Sequence, residues 1–219
     1  MVTIPTPTTD PRPPETTPAA SGTVRVLRPV GMVDVREQPG VQELEYGPDA
    51  ILVLTGLPGA GKSTLMERCA RAPLADSQMV RDRWAARLPG WIGYPLYRPL
   101  VRVEHYWQLH RALRGGGPLV IHDSGAQRWV RAWLARTCLR QARPVHLLVL
   151  AVDEDEALAG QAARGRQVTR YALARHVRAA RALGRRLAAT GSPPPGFSSL
   201  VVVDRPGAAR LLEIRFAPA

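Results

Sequence analysis

One lysine stands in this chain, at position 62, and every other one of its 30 basic residues is arginine. That lysine falls in the run Gly56, Leu57, Pro58, Gly59, Ala60, Gly61, Lys62, Ser63, Thr64, which fits the pattern G-x-x-x-x-G-K-S/T. Glycines at such spacing let backbone N–H groups turn inward around an anion, where side chains would clash. A helix starting at the lysine aims its positive end at the same point. A compact ammonium on a flexible stem serves as a point charge beside phosphate, which a planar guanidinium does not. The expected chemistry is capture of ATP or GTP with Mg²⁺. Gly56, Pro58, Gly59, Ala60, Gly61, Lys62, Ser63 and Thr64 would form the cradle, Lys62 would bridge the β- and γ-phosphates, and the Ser63 hydroxyl would ligate the metal.

Further chemistry-bearing residues lie downstream. Val120, Ile121 and His122 lead into Asp123. A carboxylate at the end of a buried strand sits where ligands bind in open α/β sheets, so Asp123 is the second candidate for Mg²⁺, directly or through water. The alternative is a turn with Ser124 and Gly125. His122 reads as a packed or hydrogen-bonded strand residue rather than a base. Asp76, Gln78, Arg81 and Asp82 form a polar cluster that follows a short apolar run. Arg164 and Arg166 flank Gly165 after an Ala-rich stretch, and planar bidentate donors of this kind suit phosphate oxygens.

These residues need elements to hold them. Residues 51–54 are a continuous apolar run, as expected of a strand buried on both faces. Residues 63–71 have helical spacing in Leu65, Met66 and Cys69, with Pro73 beyond. A short strand is expected at 74–76, helices at 99–114, 127–141, 155–163 and 169–189, and strands at 118–123, 145–152 and 200–203. Strand alternating with helix implies a parallel sheet with right-handed crossovers. The expected fold is α/β, a P-loop three-layer sandwich on a mostly parallel five-stranded sheet, spanning residues 49–219. Ahead of it, residues 22–48 carry short alternating runs that predict a hairpin or an extended strap. Residues 1–21, rich in Pro and Thr, predict a disordered tail.

With those residues in place, the chain resembles the P-loop kinase group that includes polynucleotide kinases, gluconate-type kinases and zeta toxins, among AAA-family ATP-binding proteins of GC-rich bacteria. The resemblance covers residues 51 to about 204. It implies that Arg164 and Arg166, with Arg170 beside them, belong to a lid closing over the phosphates. It also implies that 76–81 border the acceptor. In polynucleotide-kinase-like enzymes the pattern S-D-x-x-R supplies a carboxylate that takes the acceptor hydroxyl's proton and an arginine that holds its phosphate. Here Gln78 takes the carboxylate's place, and a carboxamide accepts no proton. Asp76 and Asp82 are the candidates to replace it, and Arg81 matches the arginine.

Residues 82–99 interleave Trp84, Trp91, Tyr94 and Tyr97 with arginines. They predict either an acceptor-contacting surface or a small hydrophobic cap packed on the next helix. Arg128, Arg131, Arg136 and Arg140, then Arg170, Arg175, Arg178, Arg181, Arg185 and Arg186, read first as solvated helix faces and second as a basic surface for nucleic acid.

The net charge of +12 in a chain of 219 residues favours anionic partners. Part of it reflects Arg, Ala, Gly and Pro usage of the kind a GC-rich genome imposes. No apolar run reaches membrane-spanning length, the N-terminus lacks a secretory pattern, and Cys69 and Cys138 read as buried apolar groups. These point to a cytoplasmic location without a membrane partner. The sequence therefore predicts an ATP-dependent phosphotransferase acting on a hydroxyl of a small molecule or a nucleic-acid end. The alternatives are a nucleotide-binding switch and a nucleic-acid-stimulated ATPase.

Overall fold

The computed structural model describes residues 24–122, 128–163 and 170–218. In chain order the elements are β1 (Arg25–Leu27), β2 (Gly31–Asp34), β3 (Val41–Tyr46), β4 (Ile51–Gly56), α1 (Lys62–Cys69), β5 (Leu74–Asp76), α2 (Ser77–Arg87) and α3 (Tyr94–Arg114). They continue with β6 (Leu119–His122), α4 (Arg128–Leu139), β7 (Val145–Leu150), α5 (Glu154–Ala162), α6 (Arg170–Thr190), β8 (Ser199–Val203), α7 (Arg205–Arg210) and β9 (Glu213–Phe216).

The main sheet runs β2-β8-β7-β4-β6-β5 with every neighbour parallel. The five expected strands are all in it, and β2 from the N-terminal segment adds a sixth at one edge. A smaller parallel sheet, β1-β3-β9, lies on one face. Parallel pairing needs a crossover, so β1, β2 and β3 close no hairpin with one another; each finds its partner further along the chain.

The continuous apolar runs do what burial on both faces requires. On β4, Leu52 and Leu54 face Leu65, Met66 and Cys69 of α1, together with Val41 and Leu44 of β3 and Ile214 of β9. Ile51 and Val53 face the other way, onto Leu109 and Leu113 of α3, Leu134 and Cys138 of α4, and Leu183 and Leu187 of α6. The result is three layers, α/β, with the P-loop strand at the centre. No helix among the described residues is long and apolar enough to cross a membrane.

Two elements depart from the spacing. Residues 77–87, for which the spacing predicts no element, form a helix, so Gln78 and Arg81 sit on α2. Helix α3 begins at Tyr94, five residues before the expected start, although Pro95 and Pro99 fall in its first two turns. A proline in the first turn forfeits no helical hydrogen bond, and Pro99 removes only one. That loss is offset by Tyr97 and Val101, which pack on Val80 of α2 with Trp84, Leu88, Ile92 and Tyr94 around them.

Candidate functional site

The carboxyl ends of β4, β6 and β5 meet at one edge of the main sheet. Register makes this explicit: Asp76 pairs with His122 and His122 with Leu54, two residues before the end of β4. At ordinary strand spacing, the Asp76 backbone lies about 10 Å across the sheet from the P-loop strand.

Between β4 and α1 the backbone bends through Gly59 at φ 89° and Gly61 at φ 98°, values that L side chains rarely adopt. The loop is braced from behind by α5. A Cβ on Gly59 would sit 2.1 Å from the Ala157 carbonyl, and a Cβ on Gly160 would sit 2.1 Å from the Gly59 carbonyl. The buried Gln161 amide donates to the Pro58 carbonyl at 2.9 Å. Helix α5 is itself held by a capping box, in which Asp153 accepts from the Glu156 amide at 2.7 Å and Glu156 accepts from the Asp153 amide at 3.3 Å. Leu57 anchors the loop's first turn on Ala157, Leu173 and Val177.

Lys62 is buried at the start of α1 and donates from Nζ to the Gly56 carbonyl at 3.0 Å and the Leu57 carbonyl at 2.8 Å. The ammonium thus sits against the inner wall of the loop, on groups that a phosphate oxygen can replace as acceptors. Ser63 follows in the first turn of α1, partly exposed. Its hydroxyl, on the residue that follows the buried Lys62, is a hard oxygen donor of the kind Mg²⁺ takes alongside phosphates and water. The residues present fit both groups.

Asp76 closes β5 and caps α2. Its Oδ1 accepts the Gln78 backbone N–H at 2.8 Å, and its Oδ2 lies 2.7 Å from His122 Nδ1. Burial pushes this carboxyl up. The hydrogen bond and charge of His122 and the Gln78 amide outweigh burial, so the group is held below its ordinary value and stays ionised at neutral pH. An ionised carboxylate only accepts, so His122 Nδ1 is the donor in this hydrogen bond. The other substitute, Asp82, is occupied differently: its Oδ1 accepts from the Gln78 side-chain amide at 2.6 Å on the exposed face of α2. The Arg81 guanidinium stacks 4.1 Å from the Tyr94 ring centroid.

The structure therefore brings together the 56–64 loop, Asp76 and His122 at one sheet edge, with Arg81 held on the neighbouring α2–α3 pair. Asp123, Arg164 and Arg166 lie outside the described residues. Of the four aromatics in 82–99, Trp84, Tyr94 and Tyr97 pack in the α2–α3 cap, with Trp84 Nε1 donating to Glu104 at 2.6 Å, whereas Trp91 is exposed. The bracing by Gly160 and Gln161 has one sequence signal: a glycine inside a helical stretch costs stability and points to a close approach.

A family model described as an AAA domain matches residues 51–186. No curated protein matches the chain by sequence. Among solved structures, the PezAT toxin–antitoxin system of Streptococcus pneumoniae includes a chain 16% identical, with 79% of this chain and 74% of that one covered and a TM-score of 0.55. The tunicamycin resistance protein of Deinococcus radiodurans is 20% identical, covering 68% of this chain and all (100%) of its own at a TM-score of 0.42. A gluconokinase from Sinorhizobium meliloti is 16% identical, covering 75% and 93% at a TM-score of 0.43.

Proposed function

The chain belongs to the AAA domain family, and from that premise we propose that it is an ATP-dependent phosphotransferase whose acceptor hydroxyl belongs to a small molecule or a nucleic-acid end. The observation that carries this reading is the Asp76 carboxylate, ionised and fixed by His122, on the same sheet edge as the P-loop lysine.

The 56–64 loop binds the triphosphate through its backbone N–H groups. Lys62 turns from the Gly56 and Leu57 carbonyls to the β- and γ-phosphate oxygens. The Ser63 hydroxyl and Asp123 would hold Mg²⁺, which would neutralise phosphate charge when bound. Asp76 takes the proton of the acceptor hydroxyl as its oxygen bonds to the γ-phosphorus, and the bond to the β-phosphate oxygen breaks to leave ADP. His122 keeps the carboxylate oriented and charged for that step. Arg81 holds the acceptor's own anionic group, while Arg164 and Arg166 close over the transferring phosphate. Positioning and electrostatics supply most of the rate in such reactions. The location that fits these substrates is the cytoplasm.

Replacing Asp76 by Asn tests the assignment. Turnover should fall about 10²–10⁴-fold, the usual contribution of a general base, while the dissociation constant for ATP stays within about twofold. Equal losses in turnover and ATP affinity would remove Asp76 from the chemistry.

One observation favours a second reading, a nucleotide switch or ATPase without transfer. Gln78 is half-buried and bonded to Asp82, so the position that carries the carboxylate in polynucleotide-kinase-like enzymes offers no base. Free phosphate without any labelled acceptor would support that reading.

A further inference from the structure

Helices α3 and α4 carry a second set of residues that phosphotransfer does not use. Tyr106, His110 and Arg114 recur every four residues along α3. Trp129, Trp133, Arg136 and Arg140 follow i, i+4, i+7 and i+11 along α4, so each set lies on one helix face. The two faces look at each other: the Tyr106 ring centroid is 5.3 Å from Trp129 and 6.0 Å from Trp133. Beyond the aromatic end, the groove opens into a pocket of about 300 Å³ edged by His110, Arg114, Arg136 and Arg140 over Trp133 and Thr137.

The arginines of this pocket are not spent on the fold. No ion pair among the described residues involves Arg114, Arg136 or Arg140. Nor do they cap the helices they end. The buried Arg143 guanidinium donates to the Leu113 and Gly117 carbonyls at the end of α3. Helix α4 is closed by its own backbone through Ala142 at φ 53°, with Ala142 N–H on the Leu139 carbonyl at 3.2 Å and Arg143 N–H on that of Cys138 at 3.0 Å. Three unpaired guanidiniums around one pocket are a site for phosphate oxygens. The adjoining rings, with Trp129 56% exposed, add π-faces for bases.

We propose that the groove between α3 and α4 binds a single strand of nucleic acid, with phosphates on Arg114, Arg136 and Arg140 and a base on Trp129. A duplex hides its bases from the ring, and a bare polyanion has none to offer it. The pocket lies at the carboxyl ends of α3 and α4, beside the starts of β6 and β7, whereas the P-loop lies at the opposite edge of the sheet. The arginine pocket is separate from the P-loop, and Trp129, near the start of α4, marks the end of the groove towards the carboxyl end of β6; occupancy of the groove does not depend on phosphotransfer.

Fluorescence anisotropy of a short labelled oligothymidylate, titrated with the full chain and no nucleotide at about 50 and about 200 mM salt, tests it. The expected result is saturable binding that Arg136→Ala/Arg140→Ala weakens about tenfold, lowering the salt slope by roughly 1.4 for two lost phosphate contacts. Trp129→Ala should weaken binding by about fivefold or more through lost stacking. Arg175→Ala/Arg178→Ala on α6 removes the same charge from another exposed face and should change affinity by less than about twofold, with thermal melts verifying that each variant folds. Equal losses in the two arginine pairs would show attraction to net charge alone and overturn the proposal. So would displacement by inorganic polyphosphate at equal phosphate concentration with no effect of Trp129→Ala. Absence of binding at the lower salt would overturn it as well.

Discussion

Burial pushes the Asp76 carboxyl up, while the His122 ring at 2.7 Å and the Gln78 amide at 2.8 Å more than offset it. The opposite balance holds at His146. There burial, beside the Ser199 hydroxyl at 2.8 Å and the Tyr46 ring at 4.8 Å, pushes the imidazole down to about 4. The sign of the linkage follows. The unfolded chain binds this proton near pH 6.5 and the folded one only near 4. Stability is therefore whole above pH 6.5 and falls as pH drops towards 4, by about 3 kcal/mol in all. Asp34 and Asp76, held low by their partners, add losses of the same sign further into acid. Urea melts of the wild type and His146→Gln at pH 7 and pH 4.5 should show the wild type losing about 2 kcal/mol more than the variant. Parallel losses would mean that His146 does not carry the slope.

At the scale of elements, the close approach of α5 to the P-loop is the contact on which the cradle's shape depends. Gly160→Ala places a methyl 2.1 Å from the Gly59 carbonyl, so the loop or the helix must shift. Overpacking of this kind costs about 1–3 kcal/mol. ATP affinity should drop by about tenfold or more, measured by calorimetry, because the displaced carbonyl turns the loop's N–H groups with it. An unchanged affinity would mean the loop holds its shape without α5. Much at this scale was legible in the chain. The Gly56 to Thr64 pattern placed a loop between strand and helix, apolar runs placed β4, β6, β7 and β8, and the short run at 74–76 is β5. The start of α3 was hidden because Pro95 and Pro99 resemble loop residues until tertiary packing of Tyr97 and Val101 is known. The bonds of Asp76 to His122 and of Gln161 to Pro58 were hidden for another reason. They join residues 46 and 103 positions apart, which local spacing does not encode.

For the whole molecule, the same limit applies to the N-terminal segment. Its alternating runs announced strands, but β2 pairs with β8 and β3 with β9, across nearly the full chain. These pairings tie the first described residues to the last and cover the α1 face of the main sheet, so the frame around the P-loop is closed by both ends of the described chain. Charge is likewise a property of the whole: +12 draws anions to every face, and only geometry sorts them. One edge of the sheet gathers Lys62, Asp76 and His122, and the other holds the arginine pocket of α3 and α4. On the proposed function, the first of these edges moves a phosphoryl group. The direct measurement is transfer of radiolabelled γ-phosphate from ATP with Mg²⁺ to a pooled panel of sugars, nucleosides, antibiotics and 5′-hydroxyl oligonucleotides, with Lys62→Ala alongside. A labelled acceptor that disappears in the variant is the expected result. Tight ATP binding with only free phosphate, or with no turnover, would contradict it.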